Sequence, residues 1–392
     1  VSADRPDTHL AHAGRRPAWT HGIVNPPVYR ASTCVFPTLA DLDAAIADPD
    51  DGLYYGRRGT PTQWALAEAL SELEPGAAGT HLFPSGVAAI AAALLATVRA
   101  GDHVLLPDTA YEPTRLMAHG LLKPIGVEAE FYDPSIGDGI TALFRANTAC
   151  LYLESPGSLT FEVQDVPAMT AAARAAGVVT ILDNTWATPL LFPAIANGVD
   201  ISVQSLTKFV VGHSDAMLGA ATANAATWPK LRARALRLGQ TGAPDDCFLA
   251  LRGLRTLALR MARHGASALR IAAAIGKHRA VARVLCPGLP GDPAHALWQR
   301  DFSGYSSLFS IVLAGGSRAD LAPVVDGLRH FSMGFSFGGY ESLILPVDPA
   351  PLRTVTRWTS DGPMLRVHVG LEDPDDLIAD LSAGLDRYRV PA

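Results

Sequence analysis

Lysine is scarce in this sequence. Only Lys123, Lys208, Lys230 and Lys277 occur among 32 basic residues. Arginine keeps its proton at any physiological pH, so chemistry that needs a free amine has few places to go. Lys208 follows the short apolar run Asp200-Ile-Ser-Val-Gln204, and Asp183, 25 positions upstream, closes another, Val178-Val-Thr-Ile-Leu-Asp183. Glu154 closes a third, Cys150-Leu-Tyr-Leu-Glu154. Runs of this kind read as strands of an open α/β sheet, where ligands gather beyond the carboxyl ends. Taken singly, Asp183 also reads as a helix N-cap and Lys208 as a surface charge. Taken together they suit an aldehyde cofactor with a basic ring nitrogen. The amine forms an imine, and the carboxylate keeps the ring nitrogen protonated so that the ring can accept electrons.

Further residues complete such a site. Phe83-Pro84-Ser85-Gly86-Val87 precedes an Ala-rich helical run, and Gly86 with the first helical amides would present N–H groups to an anion. Ser205 and Thr207 offer two hydroxyls beside Lys208. Tyr54-Tyr55-Gly56-Arg57-Arg58-Gly59-Thr60 sets aromatics beside two arginines, which a solvated turn would not need. Tyr111 reads either as a half-buried core tyrosine or as a ring stacked on a flat cofactor. Arg366, inside the apolar run Leu365–Val369, invites a carboxylate partner. His213 reads as structural. No His, Cys or carboxylate cluster has zinc spacing, so no metal is expected. No Gly-x-Ser-x-Gly elbow or Gly-x-Gly-x-x-Gly fingerprint is present.

The elements that must position these residues follow from periodicity. Residues 1–58 lack a clear period and read as an extended arm. Helices are predicted over Gln63–Leu73, Val87–Arg99 and Ala168–Ala176, alternating with buried strands at His103–Pro107, Cys150–Glu154, Val178–Asp183 and Asp200–Gln204. That alternation predicts an α/β domain with a mainly parallel sheet covered on both faces, over residues 59–252. Trp228–His278 reads as helices, and beyond Pro287 shorter strands (Ser307–Leu313, Leu343–Pro346, Met364–Val369) and a last helix (Asp375–Tyr388) predict a smaller α+β domain, 253–392.

Bulk properties narrow the function classes. With 392 residues, 48% hydrophobic and 18% charged, the chain reads as a well-buried globular protein. A net charge of −6 without a basic run argues against nucleic acid as partner. The longest apolar stretch, Val87–Val98, is too short to span a membrane, and Val1–Leu10 is too polar for a secretory signal. Four scattered cysteines (Cys34, Cys150, Cys247, Cys286) fit a reducing compartment, so a cytoplasmic location is expected.

Longer motifs carry a resemblance. Tyr55-Gly-Arg57-Arg58-Gly-Thr-Pro-Thr, Glu154-Ser-Pro-Gly-Ser158, Asp183-Asn-Thr-Trp186, Thr207-Lys208 followed by Val211-Gly-His-Ser-Asp-Ala, Arg252-Gly-Leu-Arg-Thr-Leu257, Gly338-Gly-Tyr-Glu-Ser-Leu343 and Gly370-Leu-Glu-Asp-Pro-Asp-Asp-Leu377 resemble the Cys/Met-metabolism family of pyridoxal 5′-phosphate (PLP) enzymes. The resemblance implies fold type I, a PLP-dependent transferase-like fold with a seven-stranded-type sheet. It implies that Lys208 holds the cofactor, Asp183 pairs with its pyridinium and Tyr111 stacks on its ring. Gly86, Val87, Ser205 and Thr207 would hold the phosphate, and Tyr55 and Arg57 would reach the phosphate of a neighbouring subunit, making a dimer obligatory and a tetramer usual. Arg366, helped by the Ser336 backbone, would clamp the substrate carboxylate. Family members carry out β-elimination, γ-elimination or γ-replacement. Ser158, Arg58 (placed to receive a distal carboxylate) and Trp186 resemble the β-lyases, whereas Phe335 and Phe337 stand where β-lyases resemble Tyr and Trp. The implied reaction is carbon–sulfur β-elimination: cystathionine and water give homocysteine, pyruvate and ammonia, with cystine or S-substituted cysteines as further thioether amino-acid substrates. Lys208 would take the Cα proton, and Lys208 or a tyrosine, Tyr111 or Tyr55, would return one to sulfur. A γ-lyase, a γ-synthase, or a PLP-fold protein with a regulatory role are the alternatives.

Overall fold

The computed structural model describes residues 5–390. Residues 1–4 and 391–392, part of the expected arm and C-terminal domain and of the Val1–Leu10 reading, lie outside the described residues.

Seven strands form the larger sheet: β1 (Gly79–Phe83), β2 (His103–Pro107), β3 (Glu128–Tyr132), β4 (Thr148–Glu154), β5 (Val179–Asp183), β6 (Ile201–Ser205) and β7 (Gly219–Ala223), in the spatial order β1-β7-β6-β5-β4-β2-β3. β6, β5, β4, β2 and β3 pair in parallel, and β7 runs antiparallel to both β6 and β1. The fold is the mainly parallel seven-stranded α/β architecture expected. β2 is buried along its whole length, as a sheet covered on both faces requires. The helix Gly86–Thr97 packs against β6 and β7, its alanines allowing a close approach. β1, β3 and β7 are absent from the sequence-based expectation. Gly219-Ala-Ala-Thr-Ala223 lacks the branched residues that signal a strand, yet Gly219 has to be small: a Cβ there would lie 2.1 Å from the Ser85 carbonyl oxygen. Glu128-Ala-Glu-Phe-Tyr132 is an edge strand whose outer positions are charged.

The smaller sheet, β8 (Val281–Leu285), β9 (Leu308–Leu313), β10 (Phe331–Met333), β11 (Ser342–Val347) and β12 (Met364–His368), has the order β10-β11-β12-β9-β8 and only one parallel pair, β10 with β11. One continuous core joins the two sheets, running from Leu151, Leu182 and Trp186 to Phe309, Ile311, Leu365 and Leu381. The expected boundary at 252/253 falls inside the helix Pro244–Leu254, and the helix Leu257–Ile275 follows after a two-residue turn.

The N-terminal arm differs from an extended segment. Short helices form at Pro6–His12 and Pro17–Thr20, each started by a proline whose missing N–H costs nothing there, and Leu10 and Ala13 are buried with Leu66 and Ala69. A third helix, Leu39–Ala47, buries none of its residues, and Ile23, Val24, Val35, Leu39 and Ile46 are exposed. No described helix is long and apolar enough to cross a membrane.

One carboxylate fastens the C-terminal domain to the larger sheet. Asp108, just past β2, accepts the backbone N–H groups of Thr354, Val355 and Thr356 at 2.9, 3.1 and 2.8 Å, and the Thr354 and Thr356 hydroxyls at 2.8 and 2.7 Å. Arg115 adds an ion pair at 3.1 Å. Although burial alone opposes charge on Asp108, these donors hold its carboxyl well below the usual carboxylate range. Asp108→Ala should therefore destabilise the chain by about 3–5 kcal/mol, because Arg115 and three amides lose their partner at once. Denaturant unfolding measures this. The sign with pH is fixed: the unfolded carboxyl takes up a proton near ~3.9 and the folded one only in stronger acid, so the contribution is complete above that pH and lost as acid is added below it. A variant with wild-type stability at pH 7, or one whose deficit grows in acid, contradicts this account.

Candidate active site

The carboxyl ends of β4, β5 and β6 bring the chemistry together. Asp183 is the last residue of β5 and pairs in register with Glu154 on β4, so the two side chains leave the sheet on the same face. Both are buried, each 8% exposed. Asp183 accepts the Thr185 backbone N–H at 3.0 Å, while the Thr185 hydroxyl accepts the Ser205 N–H at 2.9 Å, tying the end of β5 to that of β6. Desolvation raises the Asp183 carboxyl above its ordinary value, partly offset by these donors and by Lys208. A cation at this point, such as a protonated ring nitrogen, would relieve that cost.

Lys208 lies in the tight turn after β6, where its N–H bonds to the Ser205 carbonyl at 3.2 Å and its own carbonyl accepts Gly212 N–H at 2.8 Å. Burial first, with Arg366 adding to it and Asp183 opposing, brings its pKa down to about 8. Its Nζ donates to Ser336 Oγ at 2.7 Å and sits 4.9 Å from the Phe337 ring centroid. Arg366, on β12, donates to the Ser336 carbonyl at 3.1 Å, and its buried Nε has no partner. The C-terminal domain thus delivers Ser336, Phe337 and Arg366 to a lysine of the larger sheet. Ser336 holds φ 102°, a left-handed conformation that costs a non-glycine residue about 1–3 kcal/mol. Next to it, Gly338 has φ 85°, and a Cβ there would lie 2.7 Å from the Lys208 carbonyl carbon. The expected help from the Ser336 backbone takes another form: its carbonyl accepts from Arg366, and its hydroxyl holds the lysine.

Tyr111 follows Asp108 on the loop after β2. Its N–H donates to Glu154 Oε2 at 2.7 Å, and its ring is 42% exposed, which fits a stacking face better than a core tyrosine. Gly86 begins the helix Gly86–Thr97, with Ser85 as its cap accepting Ala88 N–H at 3.1 Å. A Cβ on Gly86 would lie 2.6 Å from Ser205 Cβ, so only glycine admits Ser205 to this helix start. Val87 is 38% exposed beside it. Thr207 keeps its hydroxyl between the Leu218 carbonyl (3.1 Å) and N–H (2.9 Å).

Four expected residues lie elsewhere, Tyr55 and Arg57 among them as residues expected to serve a neighbouring subunit. Tyr55, 43% exposed, and its neighbours Arg57 and Arg58 have no described hydrogen bond or ion pair to the Lys208 group. Arg57 donates to the Leu236 carbonyl at 3.1 Å, and Arg58 pairs with Asp50 at 2.8 Å with Tyr54 beneath it. Trp186 is 6% exposed and packs edge-on against Phe302 and Tyr305, so it belongs to the core.

Sequence reasoning missed Arg260. Buried in the helix Leu257–Ile275, it donates to the carbonyls of Phe209 (2.6 Å), Val210 (3.3 Å) and Gly253 (2.7 Å), bracing the Lys208 turn from behind. A cation on the apolar face of an amphipathic helix was its signal. His368, two residues after Arg366, bonds Ser307 Oγ at 2.7 Å and the Gly338 N–H at 3.2 Å. Burial pushes it well below its ordinary pKa, so it is a neutral strut. Among the described residues, no group of three or more His, Cys, Asp or Glu side chains could hold a metal ion.

These residues fit a flat phosphorylated pyridine aldehyde: a buried amine able to lose its proton, a desolvated carboxylate in need of a cation, a glycine-opened helix start and an unpartnered guanidinium N–H. Comparison with known proteins agrees. A family model described as "Cys/Met metabolism PLP-dependent enzyme" matches residues 7–386. A putative cystathionine β-lyase of Rhizobium johnstonii is 48% identical over 382 residues, covering 96% of this chain and 95% of that protein. The cystathionine β-lyase of Escherichia coli is 46% identical over 388 residues, covering 97% and 98%. The crystal structure of a cystathionine γ-synthase from Xanthomonas oryzae, in complex with aminoacrylate and cysteine, superposes with a TM-score of 0.89 at 32% identity, covering 98% and 99%.

The position of Lys208 makes a direct prediction. In cofactor-free protein an amine-acylating reagent should modify it with a rate that is half-maximal near pH 8 and levels off above it, where an ordinary lysine has its midpoint at ~10.4. Peptide mapping across a pH series reads this. A Lys208 rate still climbing steeply past pH 10 contradicts the burial account.

Proposed function

The chain belongs to the Cys/Met metabolism family of PLP-dependent enzymes, and from that premise we propose a carbon–sulfur β-lyase that converts cystathionine and water to homocysteine, pyruvate and ammonia. The observation that carries it is the Lys208 amine, buried and able to lose its proton, held by Ser336 between Asp183 and Arg366.

Lys208, Asp183, Tyr111, Gly86, Val87, Ser205 and Thr207 would hold the cofactor. When bound, the pyridoxal ring supplies a sink for the electron pair left at the substrate Cα. The chain's own residues do the rest. Asp183 balances the positive ring nitrogen. Arg366 offers its free Nε to the α-carboxylate, which fixes the Cα–H toward the lysine. Lys208, in its neutral form, which burial makes accessible, takes that proton, the Cβ–S bond breaks with its electron pair on sulfur, and the thiolate is protonated by Lys208 or by Tyr111 or Tyr55. Phe337 sets its ring face beside the amine, with its centroid 4.9 Å from Nζ.

Tyr55 and Arg57 fit the site of a second subunit. They lie at the end of an arm whose exposed Ile23, Val24, Val35 and Leu39 would be covered by another copy, making a dimer with shared sites and, by further pairing, a tetramer. Arg58 is neutralised by Asp50 in the single chain and would meet a distal carboxylate only by leaving it. Trp186 lies in the core, packed edge-on against Phe302 and Tyr305.

Lys208→Ala should abolish turnover, and borohydride reduction of the wild type should fix the cofactor on Lys208; label on Lys123, Lys230 or Lys277 overturns the assignment. Mixing Arg57→Ala with Lys208→Ala protomers should restore activity in hybrid dimers carrying one intact site, whereas no recovery after exchange confirmed by mass favours a site within one chain. Cystathionine should yield pyruvate in preference to 2-oxobutyrate, and 2-oxobutyrate as the main product would replace the β-lyase with a γ-lyase. Phe337→Trp, by narrowing the wall beside the amine, should shift kcat/KM ratios among thioether amino acids by about 10- to 200-fold, roughly 1–3 kcal/mol. Unchanged ratios would make Phe337 a packing residue.

A further inference from the structure

Glu154 has no part in the reaction so far, yet the Tyr111 loop hangs on it. Its Oε2 accepts the Tyr111 backbone N–H at 2.7 Å across 43 residues of sequence, a contact made directly at the cofactor seat. Its own N–H is held by Gln164 Oε1 at 2.9 Å, and Gln164 Nε2 donates to the Tyr132 hydroxyl at 2.9 Å, so the end of β4 is fixed from behind. On its other side the register pairs Glu154 with Asp183, which places two buried carboxyl groups on one face of adjacent strands about 5 Å apart. Two carboxylates so close and so poorly hydrated do not both ionise. Asp183 has the claim to the charge, since Lys208 and a bound pyridinium both favour it.

The charged and titratable groups around Glu154 agree with that division. Asp183 on β5 opposes a second negative charge, and Tyr152 on the same strand is itself buried. Arg353, from the C-terminal loop, favours a charge at Glu154, but it is engaged by Thr160 and by Glu162. Burial and Asp183 together raise the Glu154 carboxyl well above its ordinary value. A neutral carboxyl oxygen still accepts a backbone N–H, which is all that Tyr111 asks of it.

We propose that Glu154 is a positioning residue that holds Tyr111 over the cofactor seat through its backbone N–H, and that it does so as an uncharged acid, leaving the only negative charge at the strand ends to Asp183. The inference rests on the PLP-dependent reading of the site. Other bonds hold the rest of the 108–111 loop, the Asp108 N–H on the Tyr132 carbonyl at 2.8 Å and the Thr109 carbonyl on the Ser158 N–H at 2.9 Å, but at Tyr111 itself the partner of the backbone N–H is the Glu154 carboxyl.

The test compares Glu154→Gln, Glu154→Leu and Glu154→Asp, each incubated with pyridoxal phosphate, reading the induced circular dichroism of the bound cofactor beside kcat and KM for cystathionine. Glu154→Leu removes the acceptor and should change the induced signal and lower kcat about ten- to a hundredfold with a smaller change in KM. Glu154→Gln keeps an uncharged acceptor in place and should recover most of both losses. Glu154→Asp keeps the acid but withdraws it by one methylene, and should resemble Glu154→Leu; it also serves where Glu154→Leu does not fold. Glutamine as damaging as leucine overturns the uncharged role, and aspartate equal to wild type overturns the positioning role. A wild type that gives no cofactor signal overturns the proposed function along with this inference. A wild-type signal that Glu154→Leu leaves unchanged overturns this inference alone.

Discussion

A lysine amine withdrawn from water with no carboxylate in contact is the constraint on which the rest of the structure depends. Among the described ion pairs none involves Lys208; its nearest polar partner is a serine hydroxyl, and a guanidinium adds repulsion. A lysine so placed loses its proton far more readily than one in water, which is the property a base and an imine-forming nucleophile require. The cost has to be met by packing elsewhere. Arg260 supports the turn from behind, Gly338 approaches the backbone from the front, and the continuous core between the sheets keeps the C-terminal domain from withdrawing Ser336.

The two domains therefore divide the labour by rigidity. Adjacent parallel strands fix Glu154 and Asp183 relative to one another within the hydrogen-bond ladder, where a one-residue slip would turn each side chain to the opposite face, and Lys208 follows in the tight turn that closes the next strand. The smaller sheet brings Arg366 on β12 and Ser336 on the strained loop between β10 and β11 up to the lysine. Asp108 joins the two through five donors of Thr354–Thr356, and the same short loop carries Tyr111. Domain contact and ring placement are coupled by three residues of chain.

Much of this was legible in the chain. Val179–Asp183 and His103–Pro107 announce themselves by unbroken apolar runs, and the helix start at Gly86 by its Ser-Gly turn and alanines. The strands that escaped notice did so for physical reasons. β7 owes its place to small residues that tolerate Ser85 at close range, and β10 is three residues long. Neither carries a periodic signal. The surroundings of Trp186 and Arg58 were not legible: the indole enters the core against Phe302 and Tyr305, and Arg58 in the single chain pairs with Asp50, eight residues earlier.

The sequence by itself determined which groups are available and along which strands they are strung, because hydrophobic periodicity and local turn chemistry act over a few residues. It therefore identified the lysine, the aspartate, the glycine-opened helix start and the family to which they belong. Tertiary structure alone decided what those groups feel. The pull of burial on Lys208, the meeting of Ser336 with an amine 128 positions away, the pairing of Glu154 with Asp183 and the clasp of Asp108 on Thr354–Thr356 are contacts between distant segments. No local pattern encodes them, since proton affinity and charge are set by the surroundings that the folded chain assembles and not by residue type.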